Sequence, residues 1–140
     1  MNELELYVDG ASKGNPGPAG VGVVICRGKE TVKNISSYIG KNTNNAAEYT
    51  ALIYALEEAL ALKADKLKIY TDSELVYRQI RQEYKVKNPV IAGLYARARR
   101  LMQAFRDVSV VYIPRGENRG ADKLANLAVK NALGPAGLVR

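Results

Sequence analysis

The chain has 140 residues, 47% of them apolar, and a formal net charge of +7; that length suits one domain with a full core and is too short for two. It contains no histidine and one cysteine, Cys26. This excludes an internal disulfide, any Ser-His-Asp or Cys-His nucleophilic site, and a zinc or copper centre built on imidazole and thiolate. No stretch is apolar for long enough to span a bilayer and no secretory leader pattern opens the chain, so a reduced, cytoplasmic setting is expected.

Leu4, Leu6 and Val8 alternate with Glu5, Tyr7 and Asp9, the period of a half-buried strand, and the Gly- and Pro-rich segment Gly10 to Gly20 reads as the turn that ends it. Val21 to Arg27 and Thr31 to Ile39 are rich in β-branched residues and complete an antiparallel meander around Gly28-Lys29-Glu30. From Asn45 the period becomes helical, through Ala47, Ala51, Leu52, Ala55, Leu56, Ala59 and Leu60. Lys66 to Thr71 reads as a fourth strand, and a short helix follows over Ser73 to Gln82. Pro89 suits the first turn of the next helix, with Leu94, Ala98, Leu101 and Phe105 on its core face. Val108 to Ile113 is the fifth strand, and Ala121, Leu124, Ala125, Ala128 and Ala132 mark a last helix closed by Gly134-Pro135. Three strands followed by helix, strand, helix, strand, helix predict an α/β fold: a mixed five-stranded sheet with helices on both faces. Residues 1–133 form the domain in this reading, and 134–140 a flexible tail.

Four acids stand at element ends. Asp9 precedes Gly10, a pair that also favours turns. Glu48 follows Asn45 by three and fits a capping box, yet it shares the helical stripe of Ala51, Leu52 and Ala55 and so points partly toward the sheet, where an unpaired carboxylate is costly. Asp72 ends the fourth strand, with helix capping as its alternative. Asp122 lies in the first turns of the last helix, indistinguishable alone from a solvated acid. Together the four can meet at one end of the sheet. Carboxylates so gathered repel each other unless a cation neutralises them, and an oxygen-only ligand set suits Mg²⁺ or Mn²⁺. Two such ions about 3.5–4 Å apart can activate a water and stabilise a leaving oxygen at a phosphodiester without a histidine base. The glycine-rich segment lacks the Gly-Lys-Ser/Thr ending of a nucleotide-binding loop.

Four stretches, Tyr-Val-Asp-Gly-Ala-Ser-Lys-Gly-Asn-Pro-Gly-Pro-Ala-Gly (7–20), Thr-Asn-Asn-Ala-Ala-Glu (43–48), Tyr-Thr-Asp-Ser (70–73) and Glu-Asn-Arg-Gly-Ala-Asp-Lys-Leu-Ala-Asn (117–126), resemble, in this order, the motifs of type 1 ribonuclease H. The resemblance implies the ribonuclease H fold and cleavage of the RNA strand of an RNA–DNA hybrid, leaving 5′-phosphate and 3′-hydroxyl ends. It implies two Mg²⁺ ions, Asp9 bridging both, Glu48 and Asp72 supporting one and Asp122 the other, with Mn²⁺ as a substitute. Many members carry a histidine before the last helix. Here that loop reads Pro114-Arg115-Gly116-Glu117-Asn118, and of its charged residues only the Glu117 carboxylate can meet a metal, which makes Glu117 the candidate in its place, with Arg115 as the other.

For the substrate, the same similarity singles out Gly10, Asn15, Asn44 and Asn45 as readers of the wide, shallow minor groove of a hybrid, and Thr43 as a contact to a DNA-strand phosphate. Residues 1–77 carry 8 basic and 10 acidic groups, whereas 78–140 carry 13 and 4. A polyanion is therefore met mainly by the second half, with Arg78, Arg81, Lys85, Lys87, Arg97, Arg100 and Arg115 as the candidate contacts. The segment from Arg78 to Arg106 is too short for the basic protrusion of some relatives, and compact, histidine-lacking members of archaeal type resemble the chain most. Another nuclease of the same superfamily, resolvase- or integrase-like, and a non-catalytic hybrid-binding module are the alternatives. A monomer is the default.

Overall fold

In the computed structural model, which describes residues 2–134, the alternation of the first strand is realised directly. Leu4, Leu6 and Val8 of β1 (Glu3–Ser12) and Val21, Val23 and Ile25 of β2 (Gly17–Arg27) are buried in one core. β3 (Glu30–Asn42) completes the meander. β4 (Lys66–Thr71) and β5 (Asp107–Tyr112) then add in parallel to β1, giving the order β3-β2-β1-β4-β5. β1 is thus the central strand, and both its edges are paired.

The structure differs from the sequence reading at the first turn. β1 continues through Asp9 and Gly10 to Ser12, where Asp9 pairs with Gly22 and Gly10 with Val21, so only residues 13–16 are left as the turn. Gly10 within this segment and Gly22 just beyond it instead serve two close contacts. A Cβ on Gly10 would overlap the backbone carbonyl of Ala47 in α1 (Asn44–Ala61), and one on Gly22 would overlap Ala121 O and lie 2.6 Å from Ala125 N of α4 (Arg119–Leu133). Two helices on opposite faces of the sheet therefore ride backbone-close on neighbouring strands.

α1 is buried nearly all round, with Leu52, Leu56 and the alanines 47, 51, 55 and 59 at 1% exposure or less, because it packs on β1 and β2 below and α3 (Pro89–Met102) beside it. Truncating Leu56 to Ala costs about 2–5 kcal/mol in such a setting. The short α2 (Glu74–Ile80) ends where Arg99 of α3 donates to Ile80 O at 2.9 Å, which satisfies one of its terminal carbonyls. Phe105, read as part of the α3 face, is buried but lies beyond the end of that helix. α4 closes at Leu133 with Gly134 at φ 72°. Of the expected 134–140 tail only Gly134 is described; the rest lies outside the described residues. Among the described residues no helix is long and apolar enough to cross a membrane.

Gly22→Ala should destabilise the fold by about 1–3 kcal/mol, since neither the strand nor the α4 backbone can yield. Gly93→Ala, in open space on exposed α3, should stabilise it by about 0.5–1 kcal/mol. Urea denaturation of both variants checks the contrast.

Candidate active site

Asp9 leaves the central strand where β1 passes between α1 and α4, and its side chain is only 6% exposed. Glu48 reaches it from α1 and Asp72 from the residue after β4. One carboxylate oxygen from each of these three lies within 4.8 Å of the others. Asp122, in the first turn of α4, is near enough to help raise the pKa of Asp9 but lies outside that group of three.

The local structure removes the capping alternatives. α1 starts at Asn44, with Thr43 Oγ1 as its N-cap accepting from Ala46 N–H at 3.2 Å. Glu48 is therefore past the first turn, and its Oε1 accepts from Gly10 N–H at 2.5 Å. Ser73, not Asp72, caps α2, through Val76 N–H at 3.2 Å. Both carboxylates are thereby left for the cluster.

The electrostatics follow from burial and crowding. Loss of solvation, then the charges of Glu48 and Asp72, push Asp9 up to about 10. Burial pushes Glu48 up to about 7 against the pull of the Gly10 N–H. Asp72 is also raised by burial, while the amide of Asn118 and the charge of Arg115 hold it down. A cluster of this kind resists ionisation until positive charge arrives. The donors are all hard oxygens, which fits Mg²⁺ or Mn²⁺ and not a softer ion.

The other predicted residues divide sharply. Asn15 and Asn44 tie the turn to α1: Asn44 N–H donates to Asn15 Oδ1 at 3.0 Å, and Ser12 N–H donates to Asn44 Oδ1 at 3.1 Å. Gly10 gives its N–H to Glu48 and lies against the α1 backbone at Ala47. Asn15, Thr43, Asn45, Lys85, Lys87 and Asn88 line a cleft of about 350 Å³. Gln79, buried, holds this rim: it accepts from Tyr49 Oη at 2.7 Å and donates to Lys85 O at 3.1 Å. Arg78 and Arg81, by contrast, are both engaged by Glu83, and Arg97 by Glu57. Arg115 is 83% exposed with its guanidinium 3.8 Å from Asp122. Glu117, in the 3₁₀ turn Arg115–Glu117, is exposed and outside the group of three acids; its charge is felt at Tyr7. Asn118 and Gln79 were not singled out by the sequence. Asn118 lies within the 117–126 motif, of which only the acids Glu117 and Asp122 are read as site residues, and Gln79 is a helical amide with no periodic mark of burial.

A mixed sheet of this order with acids gathered beside its central strand defines a fold of the ribonuclease H type. The chain belongs to the ribonuclease H family. A family model described as "Reverse transcriptase-like" matches residues 7–128. The ribonuclease HI of Halobacterium salinarum is 43% identical over 130 residues, covering 92% of this chain and 65% of that one, and the crystal structure of RNase H1 from that organism matches with a TM-score of 0.91 at 42% identity, over 94% of this chain and all of the other. The ribonuclease H of Hahella chejuensis is 35% identical over 98% of this chain and 100% of its own. LC11-RNase H1 in complex with an RNA/DNA hybrid matches with a TM-score of 0.88 at 40% identity, over 94% of this chain and 99% of that one. The chain spans 36–65% of the length of the first curated relatives it matches.

Because the folded chain holds protons on Asp9 and Glu48 that the unfolded chain releases near pH 4, metal-free stability should fall as pH rises through about 5 to 9. Mg²⁺ should reverse the loss. Asp9→Asn should flatten the slope and raise the metal-free melting temperature at about pH 9. Calorimetric melting in chelator across that range tests all three; a wild-type slope of opposite sign would contradict the charge assignment.

Proposed function

We propose that this chain is a metal-dependent endoribonuclease that hydrolyses the RNA strand of RNA–DNA hybrids, with Asp9, Glu48, Asp72 and Asp122 as its catalytic and metal-binding side chains. The observation that carries the reading is the convergence of three carboxylate oxygens, within 4.8 Å, beside the central strand of a ribonuclease H fold. Two Mg²⁺ ions, or Mn²⁺ in their place, would supply an activated water for in-line attack and charge neutralisation at the phosphate, leaving 5′-phosphate and 3′-hydroxyl ends. Asp9, buried and adjoining the other three acids, is the side chain both ions would share. Glu48, fixed by the Gly10 N–H, and Asp72 would complete one set of ligands; Asp122 would complete the other.

The hybrid would lie over the cleft rim, with the amide of Asn45 and the neighbourhood of Asn15 at the minor groove, and Thr43, Lys85 and Lys87 at backbone phosphates. The geometry supports Lys87 over Arg78 as a phosphate contact, because Arg78 already has two carboxylate neighbours, Glu74 and Glu83. Arg115 is supported over Glu117 as the loop residue acting near the acids, through its proximity to Asp72 and Asp122. Residues 1–133 would constitute the catalytic domain, acting as a monomer in the cytoplasm.

With labelled hybrid, duplex DNA and duplex RNA of one sequence, Mg²⁺-dependent cutting should occur on the hybrid alone. Asp9→Asn and Asp122→Asn should each lower the rate by about 10²–10³-fold or more. Cleavage of duplex DNA would point to a resolvase-like enzyme, and binding without turnover to a recognition module. Lys87→Ala should reduce the slope of log affinity against log salt by about 1, whereas Arg78→Ala should leave it nearly unchanged. Fluorescence anisotropy in chelator over a salt series measures both.

A further inference from the structure

Asn118 is 1% exposed, joins the 3₁₀ turn to α4, and makes no helix-capping bond with its side chain. Its Nδ2 donates instead to two acceptors: Val8 O at 2.8 Å, one residue before Asp9, and Asp72 Oδ2 at 3.3 Å. Its own backbone carbonyl accepts from Asp122 N–H at 3.1 Å. One residue thus contacts the strand that carries Asp9, the carboxylate of Asp72 and the helical turn that carries Asp122.

The chemistry of the amide fixes its orientation. Both Nδ2 hydrogens are used, and a flipped amide would set Oδ1 against two acceptors. The consequence is that Oδ1 is buried with no partner. A buried acceptor left unsatisfied costs stability, so the fold tolerates a penalty in order to aim both hydrogens at Val8 and Asp72. Asp, with no N–H, could do neither job, and a longer Gln would not fit the same two distances from the same backbone position.

We propose that Asn118 is the positioning residue of the site: it locks the Asp72 carboxylate to the end of β1 and to the start of α4, and so presets the acids for divalent cations. This rests on the reading of the acids as metal ligands. Its effect should appear in metal affinity before it appears in chemistry. Hydrogen-bond partners of ligating groups are worth roughly 10–100-fold in metal affinity.

The test uses three measurements. In ¹H–¹⁵N spectra of the unmodified chain, the Asn118 side-chain amide should exchange slowly with solvent and shift on titration with Mg²⁺; an amide that does not move at saturating Mg²⁺ overturns the proposal. Asn118→Ala should raise the Mg²⁺ concentration for half-maximal cleavage about 10-fold or more, with the rate at saturating Mg²⁺ returning to within a few-fold of the parent. An unchanged half-saturation, or a loss confined to the saturated rate, also overturns it. Calorimetric Mg²⁺ binding by the same variant should weaken by the same factor, whereas hybrid affinity in chelator should not change. Should the unmodified chain fail to cleave hybrids yet still show the Mg²⁺-dependent Asn118 shift, the functional reading falls and the positioning role stands.

Discussion

Like charges crowded into a space a few ångströms wide push apart, and this chain spends much of its architecture holding them together. Asp9 is held because it pairs with Gly22 of β2 and directly follows Val8, where the parallel pairing of β1 with β4 ends. Glu48 cannot withdraw because α1 lies so close to β1 that only glycine fits at position 10, and the N–H of that same glycine fixes the carboxylate. Asp72 is held from behind by Asn118. The penalties are visible: raised carboxyl protonation at Asp9 and Glu48, and an orphaned amide oxygen in Asn118. Local strain and unsatisfied polar groups of this sort concentrate at functional sites, where the surrounding fold over-determines them.

The same economy governs the surface. The second half of the chain looks strongly cationic as a string of letters, but Arg78, Arg81 and Arg97 face Glu83 and Glu57. Lys85 and Lys87 instead line the cleft whose rim buried Gln79 holds, and Arg115 alone of these cations stands beside an acid of the cluster, 3.8 Å from Asp122. Attraction for a polyanion would then be weighted toward these groups over the paired arginines.

Much of this was legible in the sequence, for identifiable reasons. Strands β1, β4 and β5 announce themselves by period, because one face of each is more deeply buried than the other. The motifs carried the four acids even though Glu48 and Asp122, taken singly, look like helix-terminus residues. What the sequence hid depends on approach across space. Gly10 and Gly20 read as part of a turn, and Gly22 as an ordinary strand residue, since nothing local distinguishes a glycine that bends the chain from one that admits a neighbouring backbone. The pairing of Arg78 with Glu83 crosses a helix end, outside the i,i+4 spacing that a sequence scan weighs. Asn118 resembles any loop asparagine until β1 and α4 are brought against it.

The glycine-floored seat of α4 has a mechanical consequence. The helix is pinned well past its middle, where Ala121 and Ala125 press on Gly22 and Ala125, Ala128 and Val129 on Gly20, while Gly134 sits at the far end, roughly 18 Å along the axis from Asp122. A load applied beyond Gly134 would therefore peel the last turn before it disturbed the acids. The distal end of α4 is an insulated attachment point, suited to a tether, a label or a fused module.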